Sequence, residues 1–200
     1  MKLKQLFEVR STTDMEDHLI DLSKFGDRQF FVSENGSDIF KRVSTDHPDH
    51  WLLDINEQAF VFGVAGDQYK GQIRNKIFVT RRGWTSPESR GKGLVTTIMY
   101  ALYNQLDYAI MCDDVISPSG MAVWKKLCST LKITHCYVVN KGVVQEISQE
   151  QMTNNLNSNV DNNQYIIEQV VSQQLLEVLG SRHLITPAGF FKKYDFSGVP

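Results

Sequence analysis

The stretch Thr85-Ser86-Pro87-Glu88-Ser89-Arg90-Gly91-Lys92-Gly93-Leu94-Val95 constrains this chain more than any other. Upstream, Ile77-Phe78-Val79-Thr80 has the character of a strand. Downstream, Leu94, Ile98, Leu102 and Leu106 recur every four residues with Val95 and Met99 beside them, as one apolar helix face requires. A strand therefore passes into a helix through a short basic bend holding two glycines. Glycine lets a backbone come close to a ligand, and the first N–H groups of a helix lack intrahelical partners and carry the positive end of its dipole. The bend has the makings of a phosphate site, with Arg90 and Lys92 adding mobile charge; the alternative is an ordinary solvated turn. It is not a nucleotide-triphosphate P-loop, because the Gly-x-x-x-x-Gly-Lys-Ser/Thr spacing occurs nowhere in the chain.

A chain of 200 residues, 42% of them hydrophobic, buries a sizeable core and predicts one domain with an extension. The net charge of -2 argues against a general binder of nucleic acid or membrane surfaces, but the distribution is uneven. Lys70, Arg74, Lys76, Arg81, Arg82, Arg90 and Lys92 face a single acid, Glu88, whereas Val143 to Leu179 holds five acids and no Lys or Arg. The basic run reads either as a guarded strand edge or as a surface for a polyanion. Cys112, Cys128 and Cys136 form neither a Cys-x-x-Cys pair nor an even framework, which predicts reduced thiols. The N-terminus lacks the apolar core of a signal peptide, and no run approaches the roughly 18 apolar residues of a membrane span. The expectation is a soluble, cytoplasmic protein without membrane partners.

The pattern predicts a strand over Leu3 to Arg10 and a helix from the capping box Thr13/Glu16 to about Lys24, closed by Gly26. Short β-prone runs follow at Gln29 to Ser33, which reads equally as loop, and at Ile39 to Val43, around the turn Glu34-Asn35-Gly36. Trp51 to Ile55 and Gln58 to Ala65 pair across Asn56-Glu57, and Gln72 to Trp84 continues the antiparallel run into the bend. After the helix Leu94 to Leu106 come a buried parallel-type strand, Tyr108 to Cys112, and a helix with Ser117 as N-cap and Pro118 at its first position. Its stripe is Gly120, Trp124, Leu127, Cys128 and Leu131, and Ile133 to Val139 returns as a strand. Thr153 to Asn163, with six asparagines, reads as a polar linker, Tyr165 to Leu179 as a helix, and Pro187 to Phe196 as an aromatic tail. The predicted division is a domain over 1–147, a linker over 148–163 and a C-terminal helix and tail over 164–200, an extension compatible with a homodimer and equally with folding back on the domain.

Thr85-x-Pro87-x-x-Arg90-x-x-Gly93-x-Val95 resembles the pyrophosphate loop of the GNAT acyltransferase superfamily, whose pattern is Arg/Gln-x-x-Gly-x-Gly/Ala, often preceded by Val-x-Pro-x-x. Thr85 replaces the usual Val and Val95 the last small residue, where a β-branched side chain crowds the pyrophosphate. The order of elements over Leu3 to Ile147 is also that of the family. The resemblance implies an α/β (α+β) fold with a mixed, mostly antiparallel sheet flanked by helices, here with a C-terminal helical extension. It also implies that main-chain N–H groups of Gly91, Lys92, Gly93, Leu94 and Val95 cradle the pyrophosphate of acetyl-CoA. The thioester then lies between the diverging strands Lys76 to Trp84 and Tyr108 to Cys112, the pantetheine pairing like an added strand, with a backbone N–H near Gly83 or Trp84 on its carbonyl.

Many members protonate the departing thiolate with a tyrosine in a pattern like Asn-x-x-Ala-x-x-Leu-Tyr. Here Ser117-x-x-Gly120-x-x-Val123-Trp124 aligns with it, so Trp124 takes the tyrosine's place as packing residue or pocket wall, and Ser117 stands near the pantetheine or simply caps its helix. Tyr137 or a water is the candidate to replace the missing acid, although nothing in the spacing shows it. Asp113, Asp114 and Glu57, at strand ends, are the base candidates, with a solvated, capping role as the alternative. Asp46 and His47-Pro48-Asp49-His50 have the look of a metal cluster but lack a further ligand, so no metal is expected, and neither His18 nor His135 completes a hydrolase triad. The implied activity is acetyl transfer to an amine of a small molecule, protein or nucleic-acid base. The last is the chemistry of phage-type members that modify DNA bases, to which the Trp124 variant bears a resemblance. An inactive binding module that retains the fold is the rival.

Overall fold

A computed structural model describes residues 20–66, 77–113, 116–140, 143–158 and 163–168. The strand expected over Leu3 to Arg10, the helix start at Thr13, Lys70 to Lys76 and the aromatic tail lie outside these residues, as does Asp114.

Among the described residues nine strands form one mixed, mostly antiparallel sheet. They are β1 (Gln29–Glu34), β2 (Ser37–Val43), β3 (His50–Ile55), β4 (Ala59–Ala65), β5 (Ile77–Thr85), β6 (Ala109–Met111), β7 (His135–Asn140), β8 (Val143–Ile147) and β9 (Gln164–Glu168). Their order across the sheet is β1-β2-β3-β4-β5-β6-β9-β7-β8. The first five form a meander. Two of its hairpins turn on residues in the left-handed region, Asn35 and Gly36 (φ 51° and 75°) and Asn56 and Glu57 (φ 47° and 60°), where asparagine and glycine carry little steric penalty.

The helices α1 (Leu94–Tyr100), α2 (Pro118–Thr130) and α3 (Gln149–Asn157) pack on one sheet face. Ile98, Leu102, Trp124, Leu127, Met152 and Leu156 meet Trp51, Leu53, Phe78, Ile110 and Ile167 there, all nearly excluded from water. The opposite face carries Leu52, Phe60, Phe62 and Trp84, covered by Ile20, Leu22 and Phe25. Helix α1 runs on into a π-helical turn over Ala101–Gln105. A stripe repeating every four residues drifts around a helix of 3.6 residues per turn, and one wider turn returns Leu102 and Leu106 to the buried side.

Three expectations are corrected. The linker over 148–163 contains α3, because Ser148 and Gln151 form a reciprocal capping box (3.0 and 2.8 Å) and Met152 and Leu156, one turn apart, are fully buried. Cap and burial together outweigh the competing side-chain bonds of the asparagines. The helix expected from Tyr165 begins instead as strand β9, so the sheet-forming domain does not end at Ile147. β6 and β7 run in the same direction with α2 between them, leaving a gap one strand wide that β9 fills antiparallel to both. All five β9 residues are buried, as a strand enclosed on both faces requires. Finally, Leu22–Lys24 is a single 3₁₀ turn that Asp21 caps by accepting the Ser23 N–H, so no helix runs continuously to Lys24.

Candidate functional site

The site is built where β5 and β6 part. Among the described residues these parallel strands pair over Ile77–Ala109, Phe78–Ile110 and Val79–Met111 only. Thr80 then donates its hydroxyl to the Met111 carbonyl at 3.0 Å. Arg81 is the extra residue of a β-bulge, since the β4 register moves from Gly63↔Thr80 to Phe62↔Arg82. A bulge bends its strand and raises the local twist, which turns β5 away from its neighbour. From Arg82 to Thr85, β5 is paired with β4 alone among the described strands, while the chain after β6 leaves for α2. The result is a fork whose two arms are tied at the crotch by the Arg81 Nη1–Asp113 Oδ1 ion pair at 2.5 Å.

At the tip of β5 the bend opens outward. Gly91 and Gly93 adopt φ of 80° and 73°, and a Cβ on either would touch nothing within 4 Å, so both backbones are exposed and unobstructed. The first helical hydrogen bond runs from the Thr97 N–H to the Gly93 carbonyl (2.9 Å), so the N–H groups of Leu94, Val95 and Thr96 precede the ladder. Arg90 and Lys92 are exposed beside them. Val95 is half-buried and does not crowd the bend: a Cβ at Gly83 would meet its Cγ1 at 3.4 Å, which places the valine against β5.

The bend is anchored from the β3–β4 turn. The Gln58 carbonyl accepts the Ser86 N–H at 2.7 Å, its side-chain Oε1 accepts the Ser89 hydroxyl at 3.2 Å, and Lys92 Nζ reaches Ser89 Oγ at 3.5 Å. Ser86 and Ser89 are buried in consequence. Gln58 carries no sequence signal beyond its place next to a tight turn.

The remaining candidates separate. Thr85 closes β5 opposite Ala59, and Trp84 is buried on the face away from α1, stacked on Phe60 at 5.6 Å. Ser117 accepts the Gly120 N–H at 3.1 Å and caps α2. Trp124 lies in the core, 4% exposed. Tyr137 is not brought to the fork: β9 stands between its strand and β6, and its hydroxyl donates to buried Glu168 at 3.0 Å. Glu57 is engaged at its turn, 3.7 Å from Arg42, while its N–H bonds Asp54. Of the base candidates within the described residues, Asp113 alone stands at the fork, and it does so as the partner of Arg81.

The His47 and His50 rings lie 4.7 Å apart, but among the described residues no group of three His, Cys, Asp or Glu is arranged to hold a metal. The thiols of Cys128 and Cys136 are pushed up to about 12 and about 11 by burial, so neither is a nucleophile at neutral pH. Among the described residues no helix is long and apolar enough to cross a membrane. Comparison with protein-family models, with curated proteins and with solved structures finds no match.

Proposed function

We propose that this chain is an acetyl-CoA-dependent N-acyltransferase that moves an acetyl group directly to an amine, the activity implied by the resemblance of its glycine bend to the GNAT pyrophosphate loop. One relationship carries the reading: an unobstructed bend at Gly91 and Gly93 follows the arm of a fork between β5 and β6. Such a bend suits a diphosphate held by main-chain N–H groups at a helix start, and the edge of β5 from Arg82 to Thr85 suits an amide-bearing chain laid beside it. In the reaction a neutral amine attacks the thioester carbon, the C–N bond forms and the C–S bond breaks. The nitrogen loses one proton and the sulfur gains one, giving an amide and free CoA thiol.

A CoA-binding module without turnover is the second reading. It is favoured by Trp124 in the core and by Tyr137 held on Glu168, which leave both expected acid positions away from the fork.

The deciding measurement is the melting temperature with acetyl-CoA, followed by thiol release with a panel of amines. A ligand of the native state at one hundred times its Kd stabilises by about 2.7 kcal/mol. A rise in melting temperature with amine-dependent thiol release supports the enzyme, a rise without release the module, and no rise overturns both.

A further inference from the structure

On the sheet face opposite α1, α2 and α3, the strand register brings Gln164 to a position next to the Arg81–Asp113 pair at the mouth of the fork. β6 and β9 pair antiparallel with Met111 opposite Ile166, and just past the end of β6 the Cys112 N–H still donates to the Tyr165 carbonyl at 3.0 Å, so continuing that register by one residue brings Asp113 level with Gln164, the first residue of β9. Residues directly opposite each other point to the same face, as do residues two apart on one strand. Arg81 reaches the same place from β5, ion-paired to Asp113. Gln164 is only 3% exposed, yet its Nε2 makes no hydrogen bond. A buried amide donor without a partner is destabilising and calls for an explanation, and a ligand that completes the bond supplies one.

We propose that this cluster is the acceptor subsite of the transferase and that the acceptor carries an α-amino carbonyl group, as a free amino acid or as a peptide amino terminus. The carbonyl or carboxylate oxygen accepts from Gln164 Nε2 and lies beside the Arg81 guanidinium, while the neighbouring amine donates to the Asp113 carboxylate. Asp113, with 22% of its side chain exposed, marks the way in. The amine then meets the thioester from the face opposite the helices, and a simple alkylamine leaves Gln164 unpaired. This rests on the acyltransferase reading of the same fork.

The test compares thiol release from acetyl-CoA with free amino acids, short unblocked peptides, and the alkylamines that match the amino acids without their carboxyl group. The α-amino carbonyl compounds are expected to exceed the alkylamines at least about 100-fold in kcat/KM, since a site built to hydrogen-bond a group rejects analogues that lack it. Activity confined to the amino acids or to the peptides identifies the source. Equal rates with alkylamines overturn the proposal. Gln164→Met, which removes the orphaned donor at similar volume, is expected to raise the melting temperature, leave the shift with acetyl-CoA unchanged and lower kcat/KM for the acceptor at least 10-fold. A purely structural Gln164 gives no such fall, and that result overturns the assignment. Gln164→Glu, which sets a carboxylate against the ligand's own, supplies the same readout should the methionine variant not fold. Failure of acetyl-CoA to bind at all sinks the transferase instead, and is distinguished because amino acids alone then still shift the melting temperature of the wild-type protein and not of Gln164→Met.

Discussion

Gln58 fixes Ser89: across the gap between the β3–β4 turn and the glycine bend, its Oε1 accepts the serine hydroxyl at 3.2 Å while its main-chain carbonyl holds the Ser86 N–H. A solvent-exposed turn residue thus sets the position of Gly91 and Gly93. Gln58→Ala keeps the main-chain bond and loses the side-chain one, a change of about 1 kcal/mol in stability. If the chain binds acetyl-CoA as proposed, calorimetric titration should show it bound several-fold more weakly; unchanged affinity means that the bend holds its shape without this contact.

Arg81 and Asp113 tie the arms of the fork. Both side chains are largely buried, at 14% and 22% exposure, and the contact joins opposite charges through a hydrogen bond. A double-mutant cycle with Arg81→Met and Asp113→Asn, read by urea unfolding, should give a coupling of about 1–3 kcal/mol. A coupling near zero would show that the pair is a surface contact of no consequence to the fork.

The two glycines of greatest interest respond differently to alanine. At Gly93 an added Cβ has open space, so Gly93→Ala is penalised only by its φ of 73°, about 1–2 kcal/mol. At Gly63, on β4, the same atom would lie 2.4 Å from the Val79 carbonyl oxygen and 2.5 Å from the Phe78 ring. Gly63→Ala should therefore prevent folding or lower the melting temperature far more, and circular dichroism melts of the two variants check the order.

His50 makes stability depend on pH. It is 6% exposed, packed edge-on against Phe62, and burial lowers its pKa below 6.5; His47 and Arg81 act in the same direction and Asp49 opposes them. The unfolded chain takes up a proton near pH 6.5 that the folded chain resists, so stability rises with pH across this window. The contribution is complete above pH 6.5 and is lost as pH falls through the lower folded value. Urea midpoints between pH 5 and 8 should show this slope, and His50→Gln should flatten it; an unchanged slope assigns the dependence to other groups.

Cys112, Cys128 and Cys136 are all buried, with Cys128 raised to about 12 and Cys136 to about 11 by burial. Native protein should react with a thiol-specific disulfide reagent orders of magnitude more slowly than protein unfolded in guanidinium, because the thiolate is the reactive form. Rapid native labelling of any one would place that thiol at an opening.

Much of this was legible locally. The hairpins at Asn35-Gly36 and Asn56-Glu57, the Ser117-Pro118 start of α2 and the bend between β5 and α1 each depend on residues within a few positions of one another, so turn propensity, capping and apolar spacing suffice to place them. The same locality misled at the C-terminal side. Tyr165-Ile166-Ile167 is a short apolar run that periodicity cannot assign to strand or helix, and what makes it a strand is the slot between β6 and β7, set by residues far away in sequence. Linker-like asparagines around Thr153 gave way to a capping box and two buried side chains for a related reason. The chemistry-bearing candidates divide along the same line. Position at strand ends nominated Asp113 and Glu57, and Tyr137 stood only as a substitute for the acid that the resemblance implies; the order of strands put Asp113 at the fork, Tyr137 across β9 against Glu168 and Glu57 beside Arg42.

The sequence by itself determined the strand, the glycine bend and the helix that follows it, because conformational preference and hydrogen-bond capping act over one or two turns of chain. The tertiary structure alone decided that β5 leaves β6 after three described pairs, that Gln58 anchors the bend, and that Gln164 is buried at the head of a strand paired with β6. Those relationships join residues far apart in the chain, and their free energy comes from sheet register and burial, quantities that exist only once the strands have chosen their neighbours.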